Sequence, residues 1–447
     1  MDYRDKKIGI WGFGIVGKSA MRYFQKHGNS IEVIDKRQLT EPELQMLKEH
    51  AIPASQEDTL PSFLDRNDYI LVSPGIDTRN YQNYAHKMIS ELDLFQASYK
   101  QPIIAITGSV GKSTVTHLLS QLLEPHMNIA TGGNIGPGML DLIEQNQTTD
   151  TALLEVSSFQ LEQCKTFAPD LAIWTNFYPN HIDRHGSENT YFQAKQNIIR
   201  HQNADQKSLL PLSVSIHHCT DSKYLFSPEK PAVVKNCFYL HNKIIFFEKN
   251  KLIKLDQLPC ISFVQNWLII CATLHLLDIP LSTIKKQAER LTVPEHRLEK
   301  VTTFNDIDIY NDSKATTPAA TLAAVERLKD KPIILFLGGL GKGVDRSELI
   351  KQIKPQVKMI YCFGNEREQL HQACLKNNVD CKTCETIDQA LCDCLHSTQP
   401  GDQLLFSPAG SSFDQFKNYH ERGTYFKELV HQKRYIPTKK VTKKQAS

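Results

Sequence analysis

Ile103-Ile104-Ala105-Ile106-Thr107-Gly108-Ser109-Val110-Gly111-Lys112-Ser113-Thr114 is the stretch around which the chain is organised. Four apolar residues suited to a buried strand run into a turn with two glycines. Gly-Lys-Ser-Thr then opens a segment in which Val115, Leu118, Leu119 and Leu122 recur at helical spacing. Strand, glycine turn and helix start make a phosphate cradle. Turn N–H groups and the helix dipole face an anion, Lys112 reaches the β- and γ-phosphates, and Ser113 or Thr114 offers a hydroxyl to Mg2+. The full Walker pattern puts four residues between its first glycine and Gly-Lys, whereas only two residues separate Gly108 from Gly111. The bland alternative is a glycine-rich turn before an ordinary helix. The strand in front and Gly-Lys-Ser-Thr behind favour nucleotide binding, with ATP as the nucleotide and Gly108, Ser109, Val110, Gly111, Lys112, Ser113 and Thr114 as its contacts.

The length, 447 residues, allows about three domains, each able to bury its own core. With 40% hydrophobic and 23% charged residues the composition is that of a soluble globular protein. No stretch approaches the roughly 18 apolar residues of a membrane span. The best candidate, Trp267 to Leu277, is short and contains His275. The first residues lead straight into a strand pattern without a cleavable apolar segment, so a cytoplasmic protein is expected. Net charge is +3, and six basic residues (Lys433, Arg434, Lys439, Lys440, Lys443, Lys444) fall at the very end, leaving the rest mildly acidic. That tail reads as a solvated end, and nothing else suggests nucleic-acid binding. Eleven cysteines in a cytoplasmic chain are expected to stay reduced. Cys381-x-x-Cys384 has zinc-like spacing, but Cys392-x-Cys394 does not complete a ribbon. With Cys374 these are read as small apolar side chains rather than metal ligands.

Working outward, residues 7–14 form a strand entering Gly12-x-Gly14-x-x-Gly17, followed by a helix from Lys18 to Lys26 and a strand Ile31–Ile34 ending at Asp35-Lys36-Arg37. Alone, this fingerprint favours a nicotinamide or flavin site, but a UDP-sugar presents the same pyrophosphate and ribose groups. The strand-like run Tyr69 to Val72 ends in the turn Ser73-Pro74-Gly75-Ile76. After the central stretch come the glycine turn Thr131-Gly132-Gly133-Asn134 and an apolar strand that delivers Glu155 at its end. A single strand-end Glu is usually just solvated, but beside a phosphate cradle it suits Mg2+. The next strand, Leu171 to Asn176, opens into Asn180-His181-Ile182-Asp183-Arg184-His185, and Lys195 follows on a helical segment. Further on, Asn311-Asp312-Ser313-Lys314-Ala315-Thr316-Thr317, Gly338-Gly339-Leu340-Gly341-Lys342 and Ser407-Pro408-Ala409-Gly410-Ser411-Ser412 each follow a strand. Such alternation fits a parallel sheet with its polar clusters at the strands' C-terminal ends.

Taken together, Gly108-Ser-Val-Gly-Lys-Ser-Thr, Gly133-Asn-Ile-Gly, Leu154-Glu-Val-Ser-Ser-Phe-Gln-Leu, Asn180-His-Ile-Asp-Arg-His, Ala194-Lys, Glu295-His-Arg-Leu-Glu, Asn311-Asp-Ser-Lys-Ala-Thr-Thr and Ser407-Pro-Ala-Gly-Ser-Ser-Phe resemble the Mur ligases. These are ATP-dependent amide ligases that build the peptidoglycan stem peptide. With the Ser73-Pro-Gly-Ile turn, the motifs resemble the branch that joins D-glutamate to UDP-N-acetylmuramoyl-L-alanine. The resemblance covers about residues 5–430.

It implies an α/β protein of three domains: a Rossmann-like N-terminal domain (1–95) for the UDP-substrate, a central P-loop ATPase domain (96–297), and a Rossmann-like C-terminal domain (298–447) for the amino acid. It assigns Gly14, Ile15, Val16, Asp35, Arg37, Ser73, Pro74, Gly75 and Asn134 to the UDP-substrate, with Lys36 replacing a usual Thr. Asn266, Arg297 and Asp312 join the ATP contacts, although Ser262-Phe263 replaces a usual His-Asn. Ser113, Glu155, His181 and a carbamylated Lys195, formed with CO2, would hold two Mg2+. Lys112, Glu155, His181 and Lys195 are the implied catalytic set. D-glutamate would meet Lys314, Thr316, Lys342, Ser412 and Tyr419, the last where Phe is usual, and an acidic residue is common where Leu340 stands. The implied chemistry is an acyl phosphate formed from ATP and then attacked by the D-glutamate amine. A monomer is expected. Rivals are another amino-acid ligase of the same class, an NAD-dependent oxidoreductase, which would leave the P-loop and Glu155 unexplained, and a nucleotide-binding regulator without catalysis.

Overall fold

The apolar runs become the inner strands of three sheets. A computed structural model describes residues 3–145, 148–214, 222–233, 235–258 and 263–433; the basic tail from Arg434 and the Ser262 position lie outside them. Among the described residues the first sheet holds β1 (Lys7–Trp11), β2 (Ser30–Asp35), β3 (Ala54–Gln56), β4 (Tyr69–Val72) and β5 (Met88–Ile89), all parallel in the order β3-β2-β1-β4-β5. The chain builds outward from β1 in one direction and then, from β4, in the other. The turns after β1 and β4 therefore emerge side by side at the switch point, with Trp11 opposite Val72.

The second sheet holds β6 (Ile103–Thr107), β7 (Ile129–Gly133), β8 (Thr151–Glu155), β9 (Leu171–Trp174), β10 (Lys207–Pro211), β11 (Lys223–Ser227), β12 (Cys237–His241), β13 (Ile244–Phe247) and β14 (Asn250–Lys254). Its order is β14-β13-β12-β11-β10-β9-β6-β8-β7, parallel except for the β12-β13-β14 meander. β6 is buried along its length between β8 and β9, as an unbroken apolar run requires. Register sets Glu155 opposite Ile106 and Trp174 opposite Thr107, so both neighbours end at the edge where the glycine turn begins.

The third sheet holds β15 (Glu299–Phe304), β16 (Ile307–Asn311), β17 (Ile333–Gly338), β18 (Val357–Phe363), β19 (Cys381–Cys384) and β20 (Gln403–Phe406), in the order β15-β16-β20-β17-β18-β19. Only β15 runs antiparallel. With β20 between β16 and β17, the turns beginning at Asp312, Gly339 and Ser407 leave three adjacent strand ends. Cys374, Cys384 and Cys394 are buried among apolar side chains of this unit. Among the described residues no helix is long and apolar enough to cross a membrane.

Two compact units result: described residues in 3–177, 184–258 and 265–292 form one, and those in 178–183, 263–264 and 293–433 the other. Within the first unit one apolar cluster runs from Ile8, Phe24 and Phe95 to Ala105 and Leu154. Glu91 is buried in this unit, accepting from Met139 N at 3.1 Å and from Gln160 Nε2 at 3.5 Å. Burial pushes its carboxyl up from 4.5 to about 7, and the nearby Asp141 charge adds to the rise. Between those values the folded protein keeps a proton that the unfolded chain has released, so stability falls as pH rises through the window and levels off above it. Glu91→Gln removes this titration and keeps an acceptor for Met139 N. The mutant's stability relative to wild type should therefore climb by roughly 3 kcal/mol between pH 4.5 and 8. Urea unfolding at each pH measures this, and identical slopes for the two proteins would refute it.

Candidate active site

The turn after β6 is pinned by the end of β9. Ser109 N donates to Asn176 O at 3.1 Å and Val110 N to Asn176 Oδ1 at 2.9 Å. Thr175 Oγ1 and Asn176 Nδ2 return bonds to Val110 O at 2.7 and 3.0 Å. Two glycines are obligatory here. Gly108 has φ +147° and Gly111 +85°, and a Cβ would fall 1.9 Å from Thr175 Oγ1 at the first and 2.5 Å from Asn266 Oδ1 at the second. Gly111 caps helix Lys112–Leu123 and has no side chain to offer the first N–H groups, which stay available to an anion.

Two amines meet on one carbonyl in this turn: Lys112 Nζ donates to Gly108 O at 2.8 Å and Lys195 Nζ to the same oxygen at 2.9 Å. Lys195, on helix Glu188–Arg200, is 1% exposed, and its Nζ lies 4.7 Å from the Tyr191 ring centroid. Burial holds its amine well below the usual lysine value, the Lys112 charge acts in the same direction and Glu155 opposes. Tyr191 OH in turn lies 3.1 Å from Ser109 Oγ. Ser113 is half-buried and Thr114 buried in the first turn of the helix.

Glu155, buried at the end of β8, is oriented by Asn134, whose Nδ2 donates to Oε1 at 2.8 Å and whose N donates to Glu155 O at 2.7 Å. Its Oε2 has no hydrogen-bond partner among the described residues, and neither has Oδ1 of the buried Asn266. A buried carboxylate oxygen left open at the edge of a phosphate cradle suits a hard divalent cation, so the residues present fit Mg2+. His181, with φ +56° and its N bonded to Asn180 Oδ1 at 3.0 Å, belongs to the second unit, and Glu155 and Lys195 belong to the first.

At the first sheet's switch point the Asp35 carboxylate accepts from Phe13 N at 2.6 Å and Arg37 N at 2.9 Å, so it braces the glycine turn. Ser73 Oγ donates to Gly12 O at 2.9 Å and ties the two turns together; Pro74 and Gly75 continue the second. Gly14 precedes helix Ile15–Lys26, Val16 packs on the core, and Ile15 is exposed. Arg37 is held bidentate by Glu43, both contacts 2.7 Å, and Lys18 Nζ reaches the same carboxylate at 2.7 Å.

In the second unit Asp312 is buried, accepting from Ser407 Oγ at 2.8 Å and Leu298 N at 3.0 Å. Burial pushes it up to about 7, against the pull of these bonds and of the Arg297 charge. Lys314 Nζ sits 3.6 Å from the Tyr419 ring centroid, and Tyr419 O accepts from Ser313 Oγ at 2.8 Å. Lys342 Nζ donates to Thr316 Oγ1 at 3.2 Å, and Ser412 is buried in the turn after β20. The residues singled out for D-glutamate thus gather at neighbouring strand ends. Glu295, His296 and His420 are also close enough to hold a metal. However, Asn311 Nδ2 donates to His296 Nδ1 at 2.8 Å, which leaves the proton on Nε2, and that proton bridges to His420 Nδ1 at 2.9 Å. Asn311 cannot flip without losing bonds from Ser313 N and to Gly423 O, so this trio is a hydrogen-bond chain.

Asn176, Tyr191 and Glu43 escaped the sequence reading. Only Asn176 left a signal there, as the polar end of an apolar strand beside the cradle.

Three domain models match in order: a Mur ligase MurD-like N-terminal domain over residues 6–88, a Mur ligase middle domain over 106–242, and a Mur ligase glutamate ligase domain over 296–410. The chain is 31% identical to a UDP-N-acetylmuramoylalanine–D-glutamate ligase of Acidobacterium capsulatum, covering 96% of this chain and 97% of that one. It is 32% identical to the one of Bacillus cereus, covering 96% and 98%. Among solved structures the fold is shared with a type C pseudomurein peptide ligase from Methanothermus fervidus (TM-score 0.59, 17% identity, 96% of this chain and 100% of that one). It is shared too with a MurF ligase from Thermotoga maritima in complex with ADP (TM-score 0.57, 15% identity, 96% of each chain). A cradle of this build, three domain models in sequence and full-length relatives above 30% identity place the chain in the Mur ligase family.

Proposed function

We propose that this chain is an ATP-dependent amide ligase that adds D-glutamate to UDP-N-acetylmuramoyl-L-alanine, acting as a monomer in the cytoplasm. The observation that carries the reading is the pair of lysines on Gly108 O beside the open oxygen of Glu155. The substrate's identity rests on the relatives' names and on the motifs. Residues 1–95 take the UDP-substrate through Gly14, Ile15, Val16, Asp35, Arg37, Ser73, Pro74 and Gly75, with Asn134 from the next segment. Residues 96–297 take ATP, and 298–447 take the amino acid.

The L-alanine carboxylate attacks the γ-phosphorus of ATP, giving an acyl phosphate and ADP. The D-glutamate amine then attacks the acyl carbon, and phosphate leaves from a tetrahedral intermediate. The protein positions charge rather than forming bonds of its own. Lys112 and the N-terminus of its helix hold the phosphates, aided by Arg297. Lys314, Thr316, Lys342, Ser412 and the backbone near Tyr419 orient the amino acid. Ser113, Glu155, His181 and Lys195 would hold two Mg2+, which when bound offset the repulsion between the two anions. His181 is assigned on its motif alone. Lys195 joins this set once CO2 has converted its amine to a carbamate.

An ADP-release assay with the UDP-linked substrate tests the reading. Turnover should require D-glutamate; faster turnover with L-alanine or L-lysine would overturn the assignment.

A further inference from the structure

Lys342 stands at the end of a turn, Gly338-Gly339-Leu340-Gly341, that has almost no side chains with which to hold itself, and its own backbone is left-handed, with φ +55°. The turn is fixed from beneath by two charged residues that the proposed reaction does not use. Arg346, 4% exposed, donates from Nη1 to Gly338 O at 2.9 Å and to Gly339 O at 3.2 Å. Its Nη2 pairs with Glu366 Oε2. Both Glu366 oxygens accept from Gly341 N, each at 3.1 Å. One ion pair therefore engages two carbonyls and one N–H of four consecutive residues. Leu340 completes the frame by exchanging bonds with Ser411, its N donating at 3.0 Å and its O accepting at 2.8 Å. This joins the Lys342 turn to the one that carries Ser412.

Burial disfavours the Arg346 charge and the Glu366 carboxylate offsets that, so the guanidinium depends on this partner. A lysine that meets a substrate carboxylate gains from such support, because a flexible four-carbon stem on a loose turn would have to be ordered at the moment of binding. Thr316 fixes the ammonium end, and the ion pair fixes the backbone end.

We propose that Arg346 and Glu366 are positioning residues that hold Lys342 in place for a carboxylate of the incoming amino acid, and so set the KM for that substrate alone. The proposal rests on the reading of Lys342 as a D-glutamate contact. Steady-state ADP release in Glu366→Ala, Glu366→Gln and Lys342→Ala tests it. Glu366→Ala should raise the KM for D-glutamate roughly tenfold or more, with KM for ATP and for the UDP-substrate changed less than about twofold. Glu366→Gln, isosteric and still able to accept from Gly341 N, should raise it less. Lys342→Ala should raise it at least as much as Glu366→Ala, and the double mutant should be no worse than Lys342→Ala alone, since both changes act through one ammonium. Equal increases in all three KM values for Glu366→Ala and Glu366→Gln would mean general damage and would overturn the proposal. An unchanged D-glutamate KM in both Glu366 variants, with Lys342→Ala impaired, would refute the ion pair's role and leave the D-glutamate contact standing. An unchanged KM in Lys342→Ala would remove that contact and the proposal with it.

Discussion

Lys112→Ala should lower kcat for ADP release by about 10³-fold or more while leaving the fold intact, as measured by stopped ADP-release assays beside a thermal melt. The size follows from where the charge sits. Lys112 is the first residue of helix Lys112–Leu123, its Nζ is 2.8 Å from Gly108 O, and the turn around it is held without its help by Thr175 and Asn176. Alanine is the best helix former, so the substitution removes an ammonium without disturbing the element that carries it. What is lost is one fixed positive charge at the point where two anions, a carboxylate and a triphosphate, have to approach. A mutant with near-normal kcat would show that the phosphates are held elsewhere; a mutant with a collapsed melting transition would show that the lysine is structural.

The parts of this architecture legible from the residues alone were those where one short segment carries its own cause. Gly108-Ser-Val-Gly-Lys-Ser-Thr announces itself because a buried strand must end somewhere and only glycine can make this turn. The approach of Thr175 Oγ1 to Gly108 is the physical reason behind the motif. Glu155 was legible as a charge at the end of an apolar strand. The identity of the first domain's ligand was not, since Gly12-x-Gly14-x-x-Gly17 describes a backbone approach common to several nucleotides. Asp35 has a second task that the fingerprint does not announce: both its oxygens accept from backbone N–H groups, of Phe13 and Arg37, so it braces the turn beside which it is proposed to meet the ligand.

Pairings between a loop and another segment left no trace in the sequence. Arg37 lies in the loop after β2 and Glu43 on the helix that follows, while Arg346 and Glu366 precede two different helices, and no local period connects either pair. Tyr191 reads as one more aromatic on a helix until Ser109 is seen across from it. Lys195 is the plainest case. A lone lysine on a helix is by default a solvated charge, and only the resemblance singled it out. Burial and the shared carbonyl of Gly108 are properties of the folded chain.

That burial makes the second large effect predictable. Lys195→Ala should cut turnover by about 10³-fold, and short carboxylic acids such as formate or acetate should restore roughly ten- to a hundredfold of the loss. A protonated ammonium at this position would repel Mg2+ beside Glu155. Burial and the Lys112 charge hold its pKa well down, so the amine gives up its proton more readily than an ordinary lysine and is then available as a nucleophile. In the proposed carbamate the nitrogen lone pair would attack CO2, an N–C bond forming as one C=O π bond opens onto oxygen and the N–H proton passes to water, which would leave a carbamate anion with oxygen ligands for a hard cation. Alanine leaves a hole of about that size at the same edge of the sheet, and a small carboxylate can occupy it and supply the missing negative oxygens. Rates measured with increasing formate, against a chloride control of equal ionic strength, distinguish rescue from a salt effect. A fully active mutant would sink the carbamate, and a folded, ATP-binding mutant that no acid revives would mean that the lysine acts as an amine after all.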